Sequence, residues 1–406
     1  MKEYMFNGFN MNKPNNKRNS QKNIENRPLN WRKFFKLLIC VFIILLVIAF
    51  CILYEKNEPT RDFFDKYIFR KHIAENNLPT IDLDASSFYN FYAYNDKILS
   101  LTKNTLTFYN KSGNKEHDLN IEITNPIFES NSDYLCIAEK GGQNLYHISG
   151  NNIVWQKSLE GNISNISLNK NGYVSVSLSG TSYKTIVLLI NPNGSELFKN
   201  YLKSSYVIDT SICDNNKYLA IASTNISGTL IQSNIEIISI ENAIHNSDEA
   251  KVYNYVAPNN NLIIDIKYIN KDTLVCRFDT GINYIKNNTV NEISNFNNSN
   301  VIFTDINSKI IEIVKEGNSF VGSKFNLQII TPNKENITTY NIDEEPKSIE
   351  VYDNVIAINL GSEILFINNN GWLIKQYKSS HEIKDIILCN NIAGIIYTNR
   401  IEIISL

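Results

Sequence analysis

Hydrolysis at neutral pH calls for a Ser or Cys nucleophile beside a His that a carboxylate orients. The chain has five histidines, His72, His117, His147, His245 and His381, and they are scattered along it. His147 alternates with apolar neighbours, as expected of a strand histidine satisfied by its own sheet. Two of the six cysteines, Cys40 and Cys51, fall in an apolar run near the N-terminus, and the other four are Cys136, Cys213, Cys276 and Cys389. None has C-x-x-C spacing, so zinc and dithiol chemistry find no frame, and buried thiols are expected. Quinoprotein chemistry would need a stacking Trp and calcium-binding acids. The candidates Trp155 and Trp372 lie at positions of strand character, with no acidic cluster at matching spacing. No D-x-[DN]-x-[DN]-G calcium loop occurs. Asp82 and Asp84 flank one Leu, Asp343-Glu344-Glu345 reads as a solvated turn, and Gly141-Gly142 as a hairpin turn rather than a phosphate loop. This reading assigns no catalytic residue, no metal ligand and no cofactor, and expects a protein that is not an enzyme.

The elements around these residues are strands. From about residue 80 onwards, short β-rich runs are broken by Asn, Asp and Gly, with no helical period. Turn signals recur at Asn95-Asp96, Asn131-Ser-Asp133, Asn169-Lys-Asn-Gly172, Asp214-Asn-Asn-Lys217, Asn270-Lys-Asp272, Asn307-Ser308, Asp353-Asn354 and Asn390-Asn391. An apolar run precedes and follows each. Their spacing, about 35–56 residues and mostly near 40, falls in the range of a four-stranded propeller blade. Eight units carry first, second and third strands, but only seven carry a fourth, and Thr80–Asp84 can supply the missing one. The expectation is an all-β, eight-bladed propeller of four-stranded antiparallel blades, closed by an N-terminal outer strand, which removes two free sheet edges. Seven blades is the alternative, because the fifth unit (273–296) is weakly apolar. A ring of acidic and polar side chains around a deep axial pocket would favour a degenerate hydrolase or lyase.

Residues 34–54, FFKLLICVFIILLVIAFCILY, are apolar over a length that spans a bilayer as a helix. Residues 1–36 carry nine Lys or Arg against two acids, and the remainder of the chain is acidic in balance. Basic residues stay on the cytoplasmic side. The chain therefore divides into a disordered basic cytoplasmic tail (1–33), a transmembrane helix (34–54), a juxtamembrane amphipathic helix or linker (55–78) and an extracytoplasmic propeller (79–406). In the competing reading, a cleaved signal peptide, the run would be shorter and end in a small-x-small site. Here it ends in Ala49-Phe50-Cys51-Ile52-Leu53-Tyr54. The acidic balance beyond residue 36 disfavours nucleic acid as a partner.

The blade pattern is similar to quinoprotein-like propeller repeats in LYHISGNNIVWQKSL and ILFINNNGWLIKQYK. The whole plan, with NNKYLAIASTNISGTLIQSNIEIISI and a terminal YTNRIEIISL, resembles uncharacterised membrane-anchored propeller proteins of Clostridia and other low-GC Firmicutes. That resemblance implies no activity and no site residues.

Binding then falls to the loops. Those joining second to third strands are long at Glu139–Asn144, Ser179–Lys184, Thr224–Asn234 and Gly317–Lys324, and they carry Tyr183, Leu230, Ile231, Phe320 and Val321 as the candidate interaction face. The expected partners are the bilayer, through residues 34–54, and another envelope protein. The expected role is a non-catalytic interaction platform at the outer side of the cytoplasmic membrane. An envelope sensor or ligand-binding module is the alternative.

Overall fold

The computed structural model describes residues 31–56, 60, 64, 68–69, 71–73, 78–83, 90–131, 133–180, 182–246, 249–258, 261–317, 325–332 and 337–406. It separates into two compact units, 1–69 and 70–406.

In the first unit, α1 runs from Trp31 to Lys56. Its segment Trp31–Tyr54 is long and apolar enough to cross a membrane, and none of its apolar window is buried. Near its C-terminal end, Phe50 packs edge-on against Phe64 with ring centroids 4.6 Å apart. The expected basic tail lies outside the described residues, apart from its last three positions at the start of α1. Within 55–78, Thr60 and Phe64 are helical and the Ile68 N–H donates to the Phe64 carbonyl at 2.9 Å.

The second unit is a ring of eight sheets built on four antiparallel strands each, one of them with a fifth strand added. We number the blades 1 (90–120), 2 (126–158), 3 (162–202), 4 (205–256), 5 (263–295), 6 (301–342), 7 (348–378) and 8 (385–405). The first strands are Asn90–Tyr94, Pro126–Asn131, Asn162–Leu168, Ser205–Ile212, Ile263–Tyr268, Val301–Ile306, Ser348–Tyr352 and Asp385–Cys389. First strands of neighbouring blades touch around most of the ring, so they line its axis. The core lies between blades, where buried Ile, Leu and Val of one sheet meet those of the next.

Closure occurs as the strand count requires. Thr80–Asp82 is the outer strand of blade 8, pairing Thr80 with Glu402, Ile81 with Ile401 and Asp82 with Arg400. Ile81 is buried with Ile98, Ile387, Ile401 and Ile403. The turn of blade 1 packs on this strand at Gly113, whose φ is +76° and where a Cβ would lie 2.5 Å from the Thr80 carbonyl oxygen. Only glycine fits both the left-handed backbone and that approach.

Two features depart from the sequence reading, while the fifth unit bears out eight blades rather than seven. His72–Ile73, expected near the end of the juxtamembrane helix, form a strand parallel to Leu373–Lys378 and give blade 7 a fifth strand. The weakly apolar fifth unit is a complete blade, because Asn287 and Asn288, with φ of 49° and 59°, make its last hairpin turn. Trp372 lies in the turn just before a strand and is 71% exposed.

Candidate functional site

The axis holds a cavity of about 340 Å³ walled by the first strands of blades 2 to 6. Its charged walls are Glu129, Asp209, Asp214, Asp265 and Asp305 against Lys267 and Arg277. Glu350 of blade 7 and Asp385 of blade 8 continue the acidic row, since Glu350 feels the charges of both Asp305 and Asp385. Two of these acids share one register. Glu129 pairs with Cys136 and Glu350 with Ala357, each the third residue of its second strand. Equivalent positions of a closed ring face one axis.

Two of the acids are committed to structure. Asp265 forms a two-point ion pair with Arg277, whose Nη1 also donates to the Thr304 carbonyl oxygen at 3.1 Å, joining blades 5 and 6. Asp209 accepts from Asn165 Nδ2 at 2.9 Å, from its neighbour Thr210 N–H at 2.8 Å and from Ile266 N–H at 3.0 Å, so it ties blades 3, 4 and 5. Glu129, Asp305 and Glu350 make no ion pair among the described residues.

Burial within the ring pushes these carboxyls up. Glu129 rises to about 7, with Lys267 opposing and Asp209 reinforcing the shift. Glu350 rises to about 7 through burial, then Asp305 and Asp385. Asp209 rises to about 6, burial outweighing its hydrogen bonds. Water in the channel still reaches Glu129 and Glu350, which screens these charges. A raised folded-state pKa means that the folded protein holds its protons more tightly than the unfolded chain. This contribution to stability is therefore complete below the unfolded carboxyl pKa and is lost as pH rises through 6 to 7. Scanning calorimetry should give wild type a Tm at pH 5.5 about 2 °C higher, relative to pH 8, than the same difference in E129Q/E350Q. Identical pH profiles would contradict the channel's effect on these groups.

The sequence reading missed this row. Its signal is an acid within the first strand of six units, as in Ile208-Asp209, Ile264-Asp265 and Ile349-Glu350.

The other face-defining residues fall out differently. β-Bulges interrupt the first strands of blades 4, 5 and 6 between Val207 and Asp209, Ile263 and Asp265, and Val301 and Phe303. The residues they set out of register, Ile208, Ile264 and Ile302, are 38%, 46% and 37% exposed. Bulges re-aim side chains in this way. At the same end of blade 4, the loop between second and third strands exposes Ile226, Leu230 and Ile231 at 55%, 52% and 45%. The expected face thus keeps Leu230 and Ile231 together. Tyr183 instead packs half-buried on the core of blades 2 and 3, its ring centroid 4.8 Å from that of Tyr201. Phe320 and Val321 lie outside the described residues.

His147 is fully buried, its ring stacked 4.7 Å from Trp155 and its Nε2 3.1 Å from the Gly172 carbonyl oxygen. That carbonyl takes the Nε2–H, and burial holds the ring below its ordinary pKa. Trp155 Nε1 donates to the Pro192 carbonyl at 2.9 Å. Cys136, Cys213, Cys276 and Cys389 are buried free thiols, all pushed up by burial. Thiols so shifted are poor nucleophiles. The cavity walls include no His or Cys among the described residues.

A family model described as a family of unknown function, DUF5711, matches residues 70–406. The chain belongs to the DUF5711 family. The matched region contains all eight blades and both N-terminal strands of this DUF5711 chain. No curated protein matches it. Among solved structures it is similar to BamB from Moraxella catarrhalis, at 11% identity and TM-score 0.47 over 80% of this chain and 96% of that one. It is also similar to Chaetomium thermophilum Sqt1 bound to the N-terminus of ribosomal protein L10, at 7% identity and TM-score 0.49 over 80% and 98%. A third is apo AztD from Citrobacter koseri, at 10% identity and TM-score 0.46 over 74% and 88%. These are likenesses of fold alone.

Proposed function

We propose that this protein is a non-catalytic interaction platform, held by residues 34–54 at the outer side of the cytoplasmic membrane and docking another envelope protein. The observation that carries this reading is the exposure of Ile226, Leu230 and Ile231 on one loop of blade 4, with Ile208, Ile264 and Ile302 exposed at the first-strand bulges of blades 4, 5 and 6. Monomeric surfaces scatter such residues singly, whereas interaction faces gather them. Bulges in blades 4, 5 and 6 present an Ile at each, while the equivalent bulge of blade 3 presents Ser164. The basic flank before α1 and the apolar length of Trp31–Tyr54 support the anchor and its orientation. The acidic axis is the feature that would favour catalysis. Among the described residues its walls bring no His or Cys to a hydroxyl, and Asp209 and Asp265 serve as cross-blade ties.

The test is photo-crosslinking in cells from a probe placed at Ile226, with partners identified by mass spectrometry. L230S/I231S should lower the crosslinked yield about tenfold, as expected when buried anchors of an interface are removed. A yield equal to wild type would sink this face as the docking surface.

A further inference from the structure

We propose that Asn193 and Asn370 are sites of spontaneous deamidation, and that Asn171, in the same kind of turn, is protected. This lies beyond the platform reading and rests on other residues. Three turns of blades 3 and 7 read Asn-x-Asn-Gly, at 169–172, 191–194 and 368–371. A fourth Asn-Gly pair, Asn7-Gly8, lies outside the described residues. The three turns share one backbone. The first Asn takes the N–H of the second on its Oδ1 at 2.9–3.1 Å and the Gly N–H on its carbonyl at 2.9–3.0 Å. Their glycines have φ of 79°, 84° and 74°. What differs is the second Asn side chain. Asn171 Nδ2 donates to the Asp214 carbonyl oxygen at 2.7 Å and to Asn216 Oδ1 at 3.1 Å, which ties it to the next blade. Asn193 and Asn370 are exposed, and their side chains make no hydrogen bond among the described residues.

A glycine after Asn leaves the next backbone nitrogen unshielded, and a hairpin tip opens more easily than the sheet behind it. Once the Gly N–H leaves its carbonyl partner and gives its proton to hydroxide, the nitrogen attacks Cγ of the preceding Asn. The N–Cγ bond forms, the Cγ–Nδ2 bond breaks, and ammonia departs with a proton drawn from water, which restores the hydroxide. Water then opens the cyclic imide. Hydrolysis at Cγ leaves Asp, and hydrolysis at the main-chain carbonyl leaves isoaspartate, with the chain lengthened by one carbon. Both turns are packed on a neighbouring blade. Gly194 lies under the Trp155 ring of blade 2, where a Cβ would be 3.0 Å from Cγ, and Trp155 Nε1 is bonded to the Pro192 carbonyl of the same turn. Gly371 lies against Thr338 of blade 6, where a Cβ would be 2.7 Å from Cγ2. Lengthening the chain at these contacts should loosen the seams between blades 2 and 3 and between blades 6 and 7.

The experiment is incubation of the full chain in nanodiscs at pH 8.5, with peptide mapping by mass spectrometry and enzymatic methylation of isoaspartate. In the folded protein Asn193 and Asn370 should each convert about tenfold faster than Asn171, the factor expected when two amide hydrogen bonds must break first. In urea the three should convert at similar rates, and in either state conversion should slow at pH 6.5. N216G keeps the left-handed turn, at a position with φ of 56°, while removing one acceptor, and should speed Asn171 severalfold. N193S/N370S copies the blade 1 turn Asn110-Lys-Ser112-Gly113, and should hold its Tm on incubation while that of wild type falls. Two results would overturn the proposal: Asn171 converting as fast as the other two in the folded protein, or none of the three converting there while the unfolded chain does. A rate at Asn171 unmoved by N216G would overturn its protection by these bonds, and a wild-type Tm that holds as both sites convert would overturn the loosening of the seams.

Discussion

Deletion of residues 392–406 should abolish cooperative folding of the propeller, because it removes the second and third strands of blade 8 together. Asp385–Cys389 would remain with no sheet, and Thr80–Asp82 would lose its only strand partner among the described residues. Both neighbouring blades would then expose buried faces. Blade 7 shares Phe366 and Tyr377 with blade 8, and blade 1 contributes Ile98 to the cluster around Ile81 and Ile403. A closed ring has no end blade adapted to water, so the loss cannot stay local. Calorimetry and near-ultraviolet circular dichroism should show no transition. A truncated chain melting like the intact one would refute closure by this blade. A milder variant keeps the test quantitative: I81A, at a position 3% exposed, should cost about 3 kcal/mol with the ring still formed.

The second large effect concerns charge at the same seam. Glu402, 4% exposed, accepts from Arg400 Nε at 2.7 Å and from Tyr377 OH at 2.5 Å. Tyr397 OH lies 2.7 Å from Tyr377 OH, and the Arg400 guanidinium sits 4.7 Å from the centre of the Tyr397 ring. Tyr377 belongs to the fourth strand of blade 7 and Glu402 to the third strand of blade 8, so the network crosses between blades. Replacing Arg400 with Met leaves the carboxylate buried without its cation and should cost about 3 kcal/mol. Adding E402Q removes the stranded charge, and R400M/E402Q should recover most of the loss in a denaturant double-mutant cycle. If the two substitutions prove additive, the ion pair is not what joins the seam.

Much of this architecture was legible because each blade repeats a local instruction. Asn95, Asn216, Asp353 and Asn391 all adopt positive φ, between 50° and 58°. Asn and Asp tolerate that conformation best after glycine, so the residues marking turns in the sequence are those the backbone requires. The closing strand followed from counting, since an unpartnered third strand needs an edge. The acidic axis was not legible for the opposite reason. Glu129 and Glu350 are 221 positions apart, and each looks like the polar half of an alternating strand. Only ring closure places them on one axis. The bulged Ile208, Ile264 and Ile302 were hidden similarly, because periodicity predicts where regular strands point and a bulge breaks the period. His72–Ile73 carries too few residues for any period at all.

That short parallel strand has a mechanical consequence. The chain entering the propeller first meets two residue pairs on blade 7, His72 with Gln376 and Ile73 with Tyr377, and then three on blade 8. Tension applied through the N-terminal segment must therefore open the smaller clasp before it loads the strand that closes the ring. The pair at 72–73 would act as a fuse, yielding at low force and lengthening the tether while the eight blades stay shut.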